Sequence, residues 1–483
     1  MSDSKTDSAG QTIARNAAFL LIARALSTVL GLILVLFMAR NLGDQEFGIY
    51  TIGIACGGIS HIFVDLGLNN LTTRQLARHP ESADVYLGQV LLIKLSLFVP
   101  VLVGTYVLLS LFQYEASTLQ VVMIVVANAL LFNALHSFYY HIFEGFEQMQ
   151  YITSLEVVKR LTYMVSGVAA IYAGYGVFVF VILLVISDAF NLGLAWLICR
   201  RNFPVRIKLS ASVAGWFKLI KTGLPFGLLV AFSMILSSTD IVMLGAFRTE
   251  QEAGWYGASI RLISTLTMIP LMAASAMFPS ISRLFHEAPE QLASIFADVI
   301  RPLVLLALPI AVGTSMLSEP IIRLLYSSEY IAGAPALGLL VWSVALHFLA
   351  LPMIFFLSAV DRQVYATTAM GVGAAINVLL NVILIPKMGL VGASITTIAS
   401  QLVLLAACFI SIKGMISVVQ VMRFGVQSAV ASVGLWLYLT IDPAVHVLLS
   451  VAAGGVVYLA LLIVIRAVGR DDWDRCMGIF RTT

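Results

Sequence analysis

The chain has 483 residues, of which 60% are hydrophobic and only 11% are charged, and its net charge is +3. Soluble proteins carry about 25% charged residues, so this composition excludes a soluble globular protein and indicates a chain embedded in a bilayer. The small net charge and the lack of a run of basic residues give no indication of nucleic-acid binding.

Fourteen apolar runs follow one another along the chain, and most connections between them are shorter than 20 residues. A helix needs about 20 apolar residues to cross a hydrocarbon core of roughly 30 Å, and these runs have that length. Because lipid-exposed backbone must satisfy its own hydrogen bonds, we predict an all-α polytopic membrane protein with about 14 transmembrane helices. The predicted spans lie near residues 14–39, 47–67, 86–112, 118–142, 151–173, 177–199, 217–239, 254–277, 296–317, 333–358, 365–385, 390–411, 424–440 and 445–466.

A seven-residue motif occurs twice in the chain. Residues 44–50 read DQEFGIY and residues 250–256 read EQEAGWY, so the two copies are 206 positions apart. The similarity resumes downstream at an offset of 209, where Arg74 corresponds to Arg283. A period of this length predicts a duplicated lobe, and in membrane proteins such lobes are typical of transporters whose site lies between them.

The motif itself predicts a structural role. Gly48 and Gly254 lie at the start of a span, where the missing side chain allows close contact between helices. The acidic residues of the motif favour the positive end of the helix that follows them. These acidic residues are Asp44, Glu46, Glu250 and Glu252.

Spans one to six and seven to twelve form the two predicted lobes, and the most basic connection in the chain joins them. Because six is an even number, the second lobe inserts in the same orientation as the first. We therefore predict two parallel-repeat six-helix lobes followed by two extra C-terminal helices. The predicted parts are a cytoplasmic tail at 1–12, an N-terminal lobe at 13–205, a cytoplasmic linker at 206–216, a C-terminal lobe at 217–411, helices 13 and 14 at 423–467, and a cytoplasmic tail at 468–483.

Lysine and arginine are distributed unequally between the two sets of loops. One set contains only Arg40, Arg248, Arg323 and Lys387, whereas the other set and the C-terminal tail contain most of the remaining loop cations. Because cytoplasmic loops carry the excess of lysine and arginine, both termini are predicted to be cytoplasmic.

Five basic residues lie within predicted spans: Arg24, Lys94, Lys159, Arg160 and Arg261. A charged residue near the bilayer centre costs at least about 2.5–3.5 kcal/mol on insertion scales, so it usually faces protein or water. For Arg24, Lys94 and Arg261, no acid lies three or four positions away on the same helix. A structural ion pair and a position facing a central aqueous cavity are both open for these residues.

Three acidic residues, Glu156, Asp188 and Asp65, are candidates for ion pairing or for coupling to an ion. Glu156 and Arg160 are four positions apart and can pair on one helix face. Asp188 can pair with one of the lysines or arginines. The deep charges of the first lobe, without Asp65, are four basic and two acidic. A cavity with this excess would attract an anion, and the planar fork of arginine suits phosphate.

Residues 16–53, NAAFLLIARALSTVLGLILVLFMARNLGDQEFGIYTIG, are followed by DLGLNNLTTRQLAR at residues 65–78. These stretches resemble the bacterial oligosaccharide-lipid flippases, the Wzx-type polysaccharide exporters. That family belongs to the superfamily that also contains the multidrug and toxin extrusion antiporters and the lipid II flippases. The pattern of fourteen spans in two six-helix lobes covers nearly the whole chain.

The resemblance implies a substrate, an undecaprenyl-pyrophosphate-linked oligosaccharide for surface polysaccharide such as O-antigen. It implies transfer from the cytoplasmic to the periplasmic leaflet of the bacterial inner membrane by alternating access. In such families cationic cavity residues meet the pyrophosphate and acidic sugars, and here Arg24, Lys94, Lys159, Arg160 and Arg261 would take that part. The implied partners are the polyprenyl-pyrophosphate-linked glycan and membrane lipid, with other polysaccharide assembly proteins left open. No cofactor, metal or nucleic acid is expected, and coupling to H⁺ or Na⁺ is open.

Two other classes of protein are kept as alternatives. A cation-coupled multidrug antiporter of the same fold would need acids in its cavity, and only Glu156 and Asp188 clearly qualify. An integral-membrane polysaccharide polymerase or ligase usually carries its chemistry on a sizeable outward loop. The outward connections here are only about 5–20 residues long, and the chain lacks a Walker loop and the HExxH and GxSxG motifs. We therefore predict a transporter and not an enzyme.

Overall fold

The computed structural model describes residues 3–79, 83–112, 114–209, 213–416, 418–441 and 447–467, and it describes their side chains from residue 28 onward except at 213, 214 and 418. In these residues the regular structure is helical, and one isolated bridge joins Lys413 and Ile416. The predicted all-α class is therefore confirmed.

Sixteen α-helices are assigned in the described residues. A π-helical turn, Ala129–Asn133, separates two of them, and two 3₁₀ segments, Pro289–Gln291 and Ser328–Gly333, precede two others. The α-helices are α1 (Asp3–Asp65), α2 (Leu68–Arg78), α3 (Ala83–Ser110), α4 (Ala116–Asn128), α5 (Ala134–Gly145), α6 (Met149–Tyr172), α7 (Val177–Asn202), α8 (Val213–Phe247), α9 (Glu250–Leu266), α10 (Met268–Glu287), α11 (Leu292–Met316), α12 (Ser318–Leu325), α13 (Ala334–Ala359), α14 (Gln363–Ile412), α15 (Val418–Ile441) and α16 (Val447–Val464).

Eleven helical stretches in the described residues are long and apolar enough to cross a membrane. Two of them bend at a glycine with positive φ, Gly43 at 79° and Gly389 at 55°, and each bend falls between two predicted spans. A side chain would strain the backbone in this left-handed region, so glycine permits each bend. Helix α6 covers the predicted span at 151–173, but it carries three charged residues and is therefore not among the eleven apolar stretches. When each bent stretch is counted as two spans and α6 as one, the helices match the fourteen predicted spans.

The chain divides into two compact units. The first unit consists of Met1–Ala258 with Asn381–Gly389, and the second of Ser259–Leu380 with Leu390–Thr483. In the first unit, α1 packs against α4, α6 and α8, and α2 packs against α5. In the second unit, α11 packs against α13 and α15, and the hydroxyl of Tyr458 on α16 donates to the carbonyl of Leu305 on α11. The predicted lobes at 13–205 and 217–411 stay a prediction.

The two copies of the repeated motif meet inside the first unit. Gly48 on α1 lies so close to α9 that a Cβ there would collide with the carbonyl oxygen of Glu250 and would lie 3.1 Å from the nitrogen of Gly254. Beside this crossing, the indole nitrogen of Trp255 donates to the Asp44 carboxylate at 2.9 Å. The predicted close helix contact at the two glycines is confirmed.

The acid at the third position of the motif also reaches beyond its own helix. The carboxylate of Glu46 accepts a hydrogen bond from the backbone nitrogen of Val177 at 2.8 Å, at the first residue of α7. In the second copy, Glu252 lies against Gly389 at the bend of α14 and accepts from Arg248 at 2.9 Å. Glu46 therefore stabilises the amino end of α7 as well as the helix on which it lies.

Candidate functional site

Helix α6 carries three charged side chains in one and a half turns, Glu156, Lys159 and Arg160, which we call the charged stripe. The Nε atom of Arg160 lies 3.8 Å from an oxygen of Glu156, and about a third of each side chain is exposed, 33% and 32%. Their four-residue spacing allows a pair on one helix face, and the structure has the two side chains next to each other. The long distance makes it a loose pair whose members can reach another group.

Lys159 pairs with an acid on the next helix. Its ammonium nitrogen lies 2.6 Å from Oδ1 of Asp188 on α7, whose side chain is only 1% exposed. The amide of Asn128 on α4 donates to Oδ2 of the same carboxylate at 2.7 Å. Of the two interpretations that the sequence left open for Asp188, the structure has the ion pair, and each carboxylate oxygen lies next to a polar nitrogen, as a buried charge requires.

His136 on α5 completes this cluster. Its Nε2 lies 3.3 Å from the ammonium of Lys159 and 3.6 Å from Oδ1 of Asp188. The residue is 3% exposed, and its ring centroid lies 5.0 Å from that of Tyr140. His136 is not among the residues predicted from the sequence, although Asn133, His136 and Tyr140 recur at three and four positions, the spacing of one helix face.

A second buried ion pair lies in the same unit. The ammonium of Lys94 on α3 lies 2.6 Å from Oδ1 of Asp65, and the Lys94 side chain is 1% exposed. The other oxygen of Asp65 accepts from the backbone nitrogen of Gly67 at 3.2 Å. A contact between Lys94 and substrate stays a prediction, and in this conformation its ammonium group is turned to Asp65.

The predicted excess of positive charge in the first lobe is largely compensated in this structure. Each of Lys94, Lys159 and Arg160 lies next to a carboxylate: those of Asp65, Asp188 and Glu156. Arg24 belongs to α1, but its side chain lies outside the described residues. It is therefore the one predicted cation of the first lobe for which the structure gives no partner information.

Arg261 lies on α9 in the second unit, where it is half-buried. Among the described side chains, no carboxylate is paired with it. A guanidinium without a carboxylate partner keeps its five donors for a ligand with several oxygens, such as a diphosphate. The role of Arg261 in substrate binding stays a prediction.

Asp240 on α8 is a buried acid that is not among the residues predicted from the sequence. The residue is 2% exposed, and its Oδ2 accepts from the hydroxyl of Tyr256 at 2.6 Å. The amide of Asn381 donates to its other oxygen. Asp240 therefore connects α8 to α9 and to the short part of α14 that belongs to the same unit.

An apolar cavity of about 310 Å³ opens between α1 and α3 in the first unit. Cys56, Ser60, Thr105 and Leu109 line it, together with six other uncharged residues. Its polar contact is the 2.9 Å hydrogen bond between the hydroxyls of Ser60 and Thr105. Because no charged side chain lines it, this cavity does not suit a diphosphate.

In the part of the chain that the structure describes, no group of three histidine, cysteine, aspartate or glutamate side chains is placed to hold a metal ion. The buried carboxylates of Asp65, Asp188 and Asp240 instead contact lysine, amide or hydroxyl groups.

Comparison with known families gives a match to the model described as polysaccharide biosynthesis protein, over residues 13–285, which is more than half of the chain. The probable low-salt glycan biosynthesis flippase Agl15 of Haloferax volcanii is 22% identical over 393 residues, which cover 80% of this chain and 81% of that protein. The putative O-antigen transporter of Shigella flexneri is 24% identical over 296 residues, which cover 56% of this chain and 67% of that protein.

Two solved structures show the fold. The lipid II flippase MurJ in an inward closed conformation matches with a TM-score of 0.77 at 16% identity, covering 93% of this chain and 99% of that chain. An inward-facing multidrug resistance MATE transporter of the MOP superfamily matches with a TM-score of 0.66 at 15% identity, covering 82% of this chain and 98% of that chain. At these identities the likeness shows that the chain has the fold of this superfamily.

Proposed function

Because the chain belongs to the polysaccharide biosynthesis protein family, we propose that it is a flippase for a lipid-linked glycan. Its substrate is an undecaprenyl-pyrophosphate-linked oligosaccharide, which moves from the cytoplasmic to the periplasmic leaflet by alternating access. A relative that is a probable glycan biosynthesis flippase and another that is a putative O-antigen transporter support this substrate class. The fold shared with a lipid II flippase supports the same class of transport.

The charged stripe of α6 is the observation that carries the proposal. About a third of the Glu156 and Arg160 side chains is exposed, and Lys159 is 17% exposed. Charged side chains facing hydrocarbon are costly, so this face of α6 requires water or a polar ligand. A lysine next to an arginine supplies several donors and two positive charges, which suits the oxygens of a diphosphate.

In this proposal Lys159 and Arg160 contact the diphosphate together with Arg24. Arg261, in the second unit, is proposed as a substrate contact in its own right. Lys94 joins them only after it separates from Asp65, since it is 1% exposed in the present conformation. Glu156 and Asp188 hold the two α6 cations when no substrate is bound. Paired carboxylates of this kind keep buried cations compensated until an anion replaces them.

We place the chain in the bacterial inner membrane as a multi-pass protein with both termini in the cytoplasm. The excess of lysine and arginine in one set of loops supports this orientation. The substrate then enters from the leaflet in which lipid-linked glycans are assembled. Proteins that polymerise or ligate the glycan are its expected partners on the outer side.

A strain that depends on this chain for surface polysaccharide tests the proposal. Removal of the gene is expected to leave the lipid-linked oligosaccharide in the cytoplasmic leaflet, as measured by access of an impermeant reagent to the glycan. Normal transfer without the gene would contradict the proposed function.

Variants in the same strain test the proposed diphosphate contacts. Arg261→Ala and Lys159→Ala are expected to reduce surface polysaccharide at least about tenfold, because a hydrogen bond to a charged group contributes about 1.5–3 kcal/mol. Arg323→Ala is the matched control, because Arg323 is 65% exposed and pairs with Glu319 on its own helix. Normal polysaccharide at normal protein levels in both test variants would remove these residues from the site.

The fold alone does not separate a flippase from a multidrug antiporter, because the similar structures include both. The two classes differ in the substrate that they move. The purified chain in liposomes is expected to move a diphosphate-linked lipid and not an organic cation. Cation efflux without lipid movement would favour the antiporter.

A further inference from the structure

The buried histidine of the Lys159–Asp188 cluster has no part in the proposed binding of the diphosphate. Three helices bring the cluster together: α5 supplies His136, α6 supplies Lys159 and α7 supplies Asp188. Oδ1 of Asp188 lies 2.6 Å from the lysine nitrogen and 3.6 Å from Nε2 of the histidine. Two groups that can each carry a positive charge therefore compete for one carboxylate oxygen.

The short distance between His136 and Lys159 bears on the state of the histidine ring. A lysine ammonium has three donors and no acceptor, so at 3.3 Å it can donate to Nε2 only when that nitrogen has a lone pair. The contact therefore fits a neutral His136 whose proton is on Nδ1. Nδ1 is buried and has no hydrogen-bond partner among the described residues, so nothing nearby anchors the ring in this tautomer.

A proton arriving at Nε2 changes this arrangement. The imidazolium and the ammonium would then face each other at 3.3 Å as two donors with like charge, and one of them must leave. His136 is 3% exposed and packs on Tyr140, whereas Lys159 is 17% exposed and has a flexible stem. Lys159 therefore leaves, toward the exposed face of α6, and the imidazolium takes its place beside Asp188.

We propose that His136 is a positioning residue that couples a proton to the availability of Lys159 for a diphosphate. This inference rests on the proposed function. Asp188 would be a buried and unpaired charge if Lys159 simply moved to the ligand, and such a charge is strongly unfavourable. Protonated His136 supplies the missing cation. By linkage, binding of the diphosphate at Lys159 then draws a proton onto His136, and the proton strengthens binding to the same extent.

Other titratable groups surround His136, but the nearby acids have their own cations. Asp65 is paired with Lys94 at 2.6 Å, and Glu156 with Arg160 at 3.8 Å. These pairs leave Asp188 as the carboxylate that His136 can reach. Among the described side chains, the groups that face the three residues of the cluster are His61 on α1, Asn128 on α4, Tyr140 on α5, and Glu156 and Tyr163 on α6.

Calorimetry on the purified full chain tests the coupling, with farnesyl diphosphate as the probe at pH 8, 7 and 6. At each pH, the association constant of the unmodified chain is divided by that of the Lys159→Gln variant. The ionisation of the probe affects both constants equally, so its contribution to the pH dependence cancels in this ratio. This ratio is expected to rise as the pH falls, by up to about tenfold per pH unit for one coupled proton.

Histidine variants then identify the proton site. For the histidine variant, the association constant of His136→Asn is divided by that of the double variant His136→Asn/Lys159→Gln. This ratio is expected to stay constant between pH 8 and 6. His141→Asn is the matched control on the same helix, since His141 pairs with Glu144 at 2.8 Å outside the cluster, and it should keep the full rise. His136→Gln repeats the measurement if the asparagine variant does not fold.

The outcomes separate the coupling from the proposed function. If the unmodified chain binds no farnesyl diphosphate at any pH, the proposed function fails and the coupling fails with it. If it binds but the ratio is flat, or if the ratio rises equally in the His136 variants, the coupling is overturned while the proposed function stands.

Discussion

At the scale of single residues, two buried lysines of the first unit each pair with an aspartate. Lys94 with Asp65 and Lys159 with Asp188 are both at 2.6 Å, and both acids accept a further hydrogen bond. In a low-dielectric interior, the attraction within such a pair offsets the desolvation of its members only when the geometry is this close. Removal of one member of a pair should therefore reduce the stability of the protein far more than removal of both.

The pair of Lys94 and Asp65 gives a prediction for stability. Lys94→Met leaves the Asp65 carboxylate buried without its cation, which should reduce the free energy of unfolding by about 3–5 kcal/mol. The double variant Lys94→Met/Asp65→Asn should recover most of this loss, because no charge remains and the Asn oxygen can still accept from Gly67. Thermal unfolding of the purified variants measures both.

Glu156→Gln serves as the control for this prediction. Its partner Arg160 is 3.8 Å away and both side chains are about a third exposed, 32% and 33%, so the change should cost no more than about 1 kcal/mol. An equal loss in Lys94→Met and Glu156→Gln would show that burial of the Lys94–Asp65 pair is unimportant.

At the scale of helices, the repeated motif brings α1 and α9 into backbone contact. A Cβ on Gly254 would lie 3.1 Å from the nitrogen of Gly48, so the contact leaves no room for a side chain at either position. Asp44 holds Trp255 beside the crossing at 2.9 Å, and Glu46 binds the first residue of α7 at 2.8 Å. Seven consecutive residues thus join three helices.

The glycine crossing gives a second prediction. Gly48→Ala should reduce the free energy of unfolding by about 1–3 kcal/mol, the usual cost of forcing an extra methyl group into a packed contact. Gly193→Ala on α7 is the matched control, because nothing lies within 4 Å of a Cβ there. That control should raise stability by about 0.5–1 kcal/mol, since alanine favours a helix over glycine. Equal thermal unfolding of the two variants would contradict the close contact.

At the scale of the whole molecule, fourteen spans require the chain to enter and leave the bilayer in alternation. Helix α7, Val177–Asn202, has a length that suits a single span. Tyr175 is 55% exposed just before it, and Arg201 is exposed at its other end. The distribution of basic residues predicts that Arg201 faces the cytoplasm and Tyr175 the opposite side.

Labelling of single cysteines measures this topology. The four native cysteines are first replaced by serine, and Tyr175→Cys or Arg201→Cys is then introduced. A membrane-impermeant maleimide applied to intact cells should label Tyr175→Cys and should label Arg201→Cys only after the cells are opened. The reverse pattern would overturn the predicted orientation and with it the proposed direction of transport.

The sequence by itself was sufficient for the helical class, the positions of the spans and the loose pair of Glu156 and Arg160. The reason is that each of these depends on local information. A bilayer requires continuous apolar helices, and a helix places residues four apart on one face.

Only the tertiary structure decided which charges compensate one another. Lys94 and Asp65 are 29 positions apart, and Lys159 and Asp188 belong to different helices, so no spacing along the chain could pair them. The same is true of His136, whose place between a lysine and a carboxylate depends on how α5, α6 and α7 pack. Desolvation makes an isolated buried charge so unfavourable that the packed helices must bring its partner to it.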